Sequence, residues 1–201
     1  VEHLDVGAFK LKFAPQRMMV GKKESSVASQ WLEWKGRRSY DGIISSPGQE
    51  RQVETGVNGA TKRYFNLWRG FSCTPADHGS THAALDQFLE HTRINVCGGN
   101  ESLNRWLLGY FAHLVQRPWE KPLVSLVFRG GKGVGKNACI ERVGHLLGRH
   151  YLLTSNRRYL TGNFNGHLEN CLLFALDEAF WSGDKQAEGT IKDLITGQKH
   201  V

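Results

Sequence analysis

The stretch Gly130-Gly131-Lys132-Gly133-Val134-Gly135-Lys136-Asn137 constrains this chain more than any other feature. It follows an apolar run, Leu123–Phe128, and precedes residues 137–147, whose apolar positions 139, 140, 143, 146 and 147 recur at helical spacing. Strand, glycine-rich turn and helix in that order form the context of a phosphate-binding loop. Glycines let the backbone turn tightly, so successive N–H groups converge on phosphate oxygens. The helix N-terminus adds partial positive charge. Lys136 supplies a mobile ammonium for β- and γ-phosphates. The eighth position is Asn137, where a serine or threonine hydroxyl usually serves magnesium; an amide oxygen or an intervening water is expected there instead. A glycine-rich loop without a ligand is the plain alternative.

A second element is Leu172-Leu173-Phe174-Ala175-Leu176-Asp177-Glu178. Acidic residues directly after a buried strand fall at the carboxyl edge of a sheet, where phosphate loops also lie. Asp177 is placed to hold Mg²⁺ and Glu178 to polarise an attacking water. Alone, such a pair often only caps the next helix. Together with the loop it predicts an ATP-Mg²⁺ site.

The rest of the chain supplies a frame. Residues 1–72 carry short apolar clusters broken by turn formers, and they read as small β-ribbon elements. Phe9–Phe13 alternates, Trp31–Trp34 reads as a strand, Gly42–Ile44 follows a turn, Ser46-Pro47-Gly48 ends it, and Tyr64–Trp68 is a further strand. Residues 73–120 change to helical period and read as a hairpin, its second helix starting at Glu101 and closing at Pro118. Residues 121–201 return to α/β. Leu123–Phe128 is expected as a strand buried on both faces, Tyr151–Leu153 and Cys171–Leu176 as further strands, and Lys185–Ile195 as a helix with Asp184 at its start and Gly197 past its end.

Composition narrows the partners. The 201 residues carry 26 Lys and Arg against 19 Asp and Glu, a net +7. The excess is +5 over residues 1–70, −1 over 71–122 and +3 over 123–201. That surplus suits a phosphate-bearing partner or a solvated basic surface. No apolar run reaches the ~18 residues of a membrane span, and Lys10, Lys12 and Arg17 break any signal-peptide pattern, so a cytoplasmic protein without a membrane partner is expected. Cys73, Cys97, Cys139 and Cys171 lack CxxC spacing, and reduced thiols are expected. His78 and His82 lack a third metal ligand. Arg37-Arg38 and Arg157-Arg158 read as surface charge, and Trp31, Trp34 and Trp68 as core.

The loop, its flanking strand and helix, and Leu-Leu-Phe-Ala-Leu-Asp-Glu-Ala-Phe-Trp-Ser-Gly-Asp-Lys at 172–185 resemble the motor of phage and plasmid primase–helicases. That motor is of the superfamily-3 type, a branch of the AAA+ ATPases. Lys192–Gly197 resembles the segment after the acidic motif. Tyr64–Phe71 and Leu107–Pro118 resemble the region before the motor in phage proteins with an N-terminal primase–polymerase. The resemblance covers roughly residues 40–201. It implies a P-loop NTPase (AAA+-like) core with a parallel sheet, incomplete at its C-terminus and preceded by a small mixed β and helical region. It also implies an ATP-driven DNA translocase, encoded by a phage or mobile element in a bacterial host, usually a hexameric ring acting on DNA through its phosphates. Lys136 matches the family's phosphate lysine, Asp177 its metal aspartate and Glu178 its catalytic carboxylate. The family's sensor residue, arginine finger and DNA hairpin are expected beyond Val201. Two other classes remain open: a small-molecule kinase, which would need an arginine-rich lid that is not evident, and a non-catalytic nucleotide- or DNA-binding module.

Overall fold

The structure is a computed structural model describing residues 4–57, 59–77, 79–80, 82–131, 133–162, 166, 168–177 and 185–197. Its mixed α/β chain divides into two compact units, Val1–Asp41 and Gly42–Val201.

In the first unit, helix α1 (Val6–Lys12) starts where the Asp5 carboxylate accepts from the Ala8 N–H at 2.8 Å. A hairpin follows, β1 (Arg17–Val20) paired antiparallel with β2 (Lys23–Ser26), and then helix α2 (Val27–Glu33). The β-ribbon reading of Phe9–Phe13 and Trp31–Trp34 is thus corrected to helix. Four or five residues cannot separate a period of 2 from one of 3.6. Phe9 and Phe13, one helical turn apart, bring their rings to 4.9 Å, and Phe9 meets Trp31 at 5.2 Å. Leu11, on the other face, is 77% exposed. Trp31 and Trp34 are also exposed rather than core.

The second unit opens with a three-stranded sheet of order β3-β5-β4. Strand β3 (Gly42–Ile44) lies parallel to β5 (Ala60–Asn66), and β4 (Gln52–Val57) lies antiparallel to β5. Asn66 is fully buried at the end of β5. Its amide nitrogen donates to the carbonyls of Ser46, Gln49 and Glu50, and its oxygen accepts from the N–H groups of Ser46 and Trp68. One side chain thereby satisfies a turn whose backbone groups have few other partners. Trp68 stacks on His150, centroids 4.3 Å apart.

Two helices form in the stretch expected to be helical. Helix α3 (Ala83–His91) has His82 as N-cap and runs into a π-helical turn, Thr92–Val96, closed by the Cys97 N–H on the Thr92 carbonyl at 2.9 Å. Helix α4 (Glu101–Gln116) is capped by Asn100. Helix α5 (Lys136–Leu147) follows the glycine loop and ends at Gly148, whose φ of +59° lies where glycine is favoured. Leu107, Phe111 and Leu114 of α4 pack with Cys139, Ile140, Val143 and Leu147 of α5 and with Leu173, forming one buried cluster.

Beyond α5, β6 (Tyr151–Thr154) and β7 (Leu173–Leu176) pair in parallel, Tyr151 opposite Leu173 and Thr154 opposite Leu176. A short helix, α6 (Arg158–Thr161), lies in the connection. Helix α5 approaches β6 closely at Gly144, where a Cβ would stand 2.3 Å from the Tyr151 ring. The last helix, α7 (Lys185–Thr196), has the Lys121 ammonium on its terminal carbonyls, 3.2 Å from Leu194 and 2.7 Å from Gly197. A lysine there complements the negative end of the helix dipole. Asp184, expected at the start of α7, lies outside the described residues.

The strand expected at Leu123–Phe128 does not form. These residues join no ladder among the described residues, and the β6–β7 sheet stays two-stranded. Leu123 takes φ of +57°, and Val127 is 88% exposed. Only Leu126 and Phe128 reach the buried cluster. The segment therefore shows one face to the core and the other to solvent, rather than being covered on both. No described helix is long and apolar enough to cross a membrane.

Candidate nucleotide site

The loop holds the glycines in the conformations that they alone adopt readily. Gly133 has φ of +80° and Gly135 φ of +81°, while Val134 between them is exposed. Gly135 is the N-cap of α5 and Lys136 its first residue. The Lys136 ammonium folds back over the loop, donating to the carbonyls of Gly130 at 3.0 Å and Gly131 at 2.7 Å. The cation thus stands over the turn that leads into the helix, whose first N–H groups have no acceptor within their own helix. Lys132 lies outside the described residues.

The second motif reaches the first. Strand β7 runs parallel to β6, and the Asp177 N–H continues the ladder by donating to the Thr154 carbonyl at 3.0 Å. Asp177 therefore emerges at the carboxyl end of the sheet. Its carboxylate accepts from the Asn137 amide nitrogen at 2.8 Å, joining positions 40 residues apart. The departure at the eighth loop position has a structural consequence: an amide can donate to the acidic residue and still offer an oxygen, as a hydroxyl does with its two lone pairs. A carboxylate and an amide oxygen are hard donors of the kind that Mg²⁺ accepts. Among the described residues no cluster of three or more His, Cys, Asp or Glu could hold a metal by itself. Glu178 lies outside the described residues, as does His78.

Beside the loop opens a cleft of about 330 Å³. Its apolar walls include Leu103, Trp106, Leu107, Val127, Phe128 and Val134, and Lys136 lies at its edge. Apolar walls with a few polar groups are usual for small-ligand sites. Cys97 also lines the cleft. Burial pushes the Cys139 thiol up to about 11, helped by nearby Cys97, and Cys171 to about 12, so thiolate chemistry at neutral pH is suppressed.

One residue at the site had no sequence signal strong enough to single it out. His91, at the end of α3, places Nε2 3.1 Å from the Gly135 carbonyl oxygen. A Cβ on Gly135 would stand 2.5 Å from the His91 ring. A histidine 44 positions before the loop, on a different helix, belongs to no recognised loop pattern.

A family model described as a family of unknown function (DUF5906) matches residues 128–201, a span that contains the loop and Asp177. No curated protein matches the chain, and no solved structure does.

Proposed function

We propose that this chain binds ATP-Mg²⁺ and belongs to an ATP-driven DNA helicase motor of the superfamily-3 type, as in phage-type primase–helicases. The observation that carries the nucleotide reading is the 2.8 Å bond between Asn137 and Asp177, which unites the two motifs at one edge of the β6–β7 sheet. In this reading the N–H groups of loop 130–137 cradle the phosphates, with Gly130, Gly131, Lys132, Gly133, Val134 and Gly135 supplying backbone. Lys136 exchanges its two carbonyl partners for phosphate oxygens. Asn137 and Asp177 hold the metal, and bound Mg²⁺ supplies charge neutralisation on the phosphates. Glu178 acts as the general base toward water, and the nucleoside occupies the cleft walled by Trp106 and Val134. The loop, β6, β7 and α5 then form part of a P-loop parallel-sheet core, and the assembled motor is a hexameric ring.

The DNA part rests on the resemblance and on charge. Arg69 is pulled below its ordinary value by burial first, then by the positive charges of Arg51 and Arg149. Arg51 and Arg69 both lie 5.2 Å from the Phe65 ring centre. Mutually repelling guanidinium groups favour an anionic partner, and backbone phosphates supply one without regard to sequence. DNA binding is therefore expected to be sequence-independent and to fall steeply with salt.

Calorimetry with ATP and Mg²⁺ tests the loop. Lys136→Ala should abolish binding of ATP and ADP while leaving the melting curve close to that of the parent, since the ammonium bonds loop carbonyls at the loop-to-helix junction rather than the buried cluster. Unchanged affinity in the variant would sink the assignment.

A further inference from the structure

We propose that His91 is a positioning residue of the phosphate loop, and that it acts as the neutral Nε2–H imidazole holding the Gly135 carbonyl. This inference rests on the nucleotide reading above.

Three contacts assign the role. First, the Gly135 carbonyl accepts twice, from the Cys139 N–H of α5 at 3.3 Å and from His91 Nε2–H at 3.1 Å. A peptide bond is planar and trans, so its C=O and the following N–H point in opposite directions. Fixing the Gly135 carbonyl therefore fixes the direction of the Lys136 N–H, an amide at the helix start that has no acceptor within its own helix. That amide is one of the donors that a phosphate at the loop would meet.

Second, the tautomer is set. The Asn95 amide nitrogen lies 3.1 Å from His91 Nδ1. An amide NH₂ only donates, so Nδ1 accepts and the ring proton sits on Nε2, facing Gly135. Asn95 is four residues after His91 and lies in the π-helical turn Thr92–Val96. Such turns are rare and frequent at functional sites. This one is anchored by Thr92, which is fully buried and donates its hydroxyl to the Leu89 carbonyl at 2.8 Å.

Third, the ring occupies the space of a side chain. A Cβ at Gly135 would meet His91 Cε1 at 2.5 Å and Nε2 at 2.9 Å. Glycine at 135 thus serves both the φ of +81° and the approach of an imidazole from α3. The helical hairpin and the loop are consequently joined through one hydrogen-bonded ring. By reciprocity, whatever holds the loop in its bound form also favours the arrangement of α3 and the π-turn.

The test uses residues 1–201, ADP with Mg²⁺ in a calorimeter, and three proteins. His91→Phe keeps a ring and removes the donor; His91→Gln restores an N–H donor at a similar reach. The phenylalanine variant should lose affinity by about ten-fold, as expected for one neutral hydrogen bond, and the glutamine variant should recover most of it. Both should melt close to the parent chain. Equal affinity of His91→Phe and parent overturns the proposal and leaves the nucleotide reading standing; so does equal impairment of both variants, which would mean packing alone. A parent chain that binds no ADP overturns the nucleotide reading itself, before any variant is made. An independent arm needs no nucleotide: ¹⁵N shifts of the His91 ring should report the Nε2–H tautomer, and an Nδ1–H tautomer overturns the proposal.

Discussion

Two segments flank the glycine-rich loop, and their apolar residues meet different fates. After the loop, α5 buries Cys139, Ile140, Val143 and Leu147 against α4 and β7. Before it, Leu123–Phe128 is at least as apolar in sequence, yet Leu123, Val124 and Val127 are exposed. The difference lies in where each backbone is satisfied. A helix closes its hydrogen bonds within itself and needs only a surface to pack on. A strand needs a neighbour for its backbone groups as well as cover for its side chains. Apolar patterning reports a demand for burial, not the presence of the strand that would meet it.

The sharpest way to break this comparison is Leu147→Ala, because Leu147 is fully buried at the end of α5. It should cost about 3 kcal/mol, as truncations of buried leucine do, read from urea unfolding. A cost near zero would place α5 outside the core. The next effect is one of acidity. His150, fully buried beside Trp68, donates from Nδ1 to the Asn170 carbonyl at 2.8 Å. Burial holds its imidazole below the ordinary histidine value, Arg149 acts in the same sense, and the Asn170 bond opposes them. The unfolded chain therefore binds that proton more readily than the native one. Stability is full above the ordinary value of ~6.5 and is lost as pH falls through it toward the native value. Melting at pH 5.5 should come at lower temperature than at 7.5, and His150→Phe should reduce the slope; an unaltered slope would assign it to other groups. The smallest effect belongs to the unpaired side. Val127→Lys should change stability by less than about 0.5 kcal/mol, the range of exposed substitutions. A cost of several kcal/mol would mean that the segment is covered in solution.

Much of the second unit is legible in its residues. The spacing of Leu107, Phe111 and Leu114 and that of Cys139, Val143 and Leu147 mark α4 and α5, because long periodic runs admit only one period. Strands β6 and β7 show instead as short apolar runs between turn formers, and α7 by its own spacing. Strand β4 is invisible beforehand: Gln52, Glu54 and Thr55 carry little apolar signal, and its pairing is imposed by β5, Val53 opposite Tyr64. In the first unit the short aromatic clusters suited two periods, and the helical one holds. At the candidate site, the loop and Asp177 stand out in the sequence because glycine spacing and an acidic residue after an apolar run are visible in chain order, and the structure brings Asn137 and Asp177 together. His91 was not, since its meaning arises only when α3 lies beside Gly135. Glu178 and Lys132, prominent in the sequence, fall outside the described residues.

The Asn66 side chain has a further consequence, for the order of events as the chain folds. Its bonds tie the turn at Ser46–Glu50 to a residue 16 to 20 positions later. That turn has one local bond, from the Gln49 N–H to the Ser46 carbonyl at 3.3 Å, and its Asn66 partner arrives only when β5 has come to lie beside β3. The β4–β5 hairpin is built from sequence neighbours and closes a short loop, whereas β3 must wait for a parallel pairing across that hairpin. Since contacts between distant residues form slowly relative to local ones, the segment first in the sequence of this sheet is expected to become ordered last.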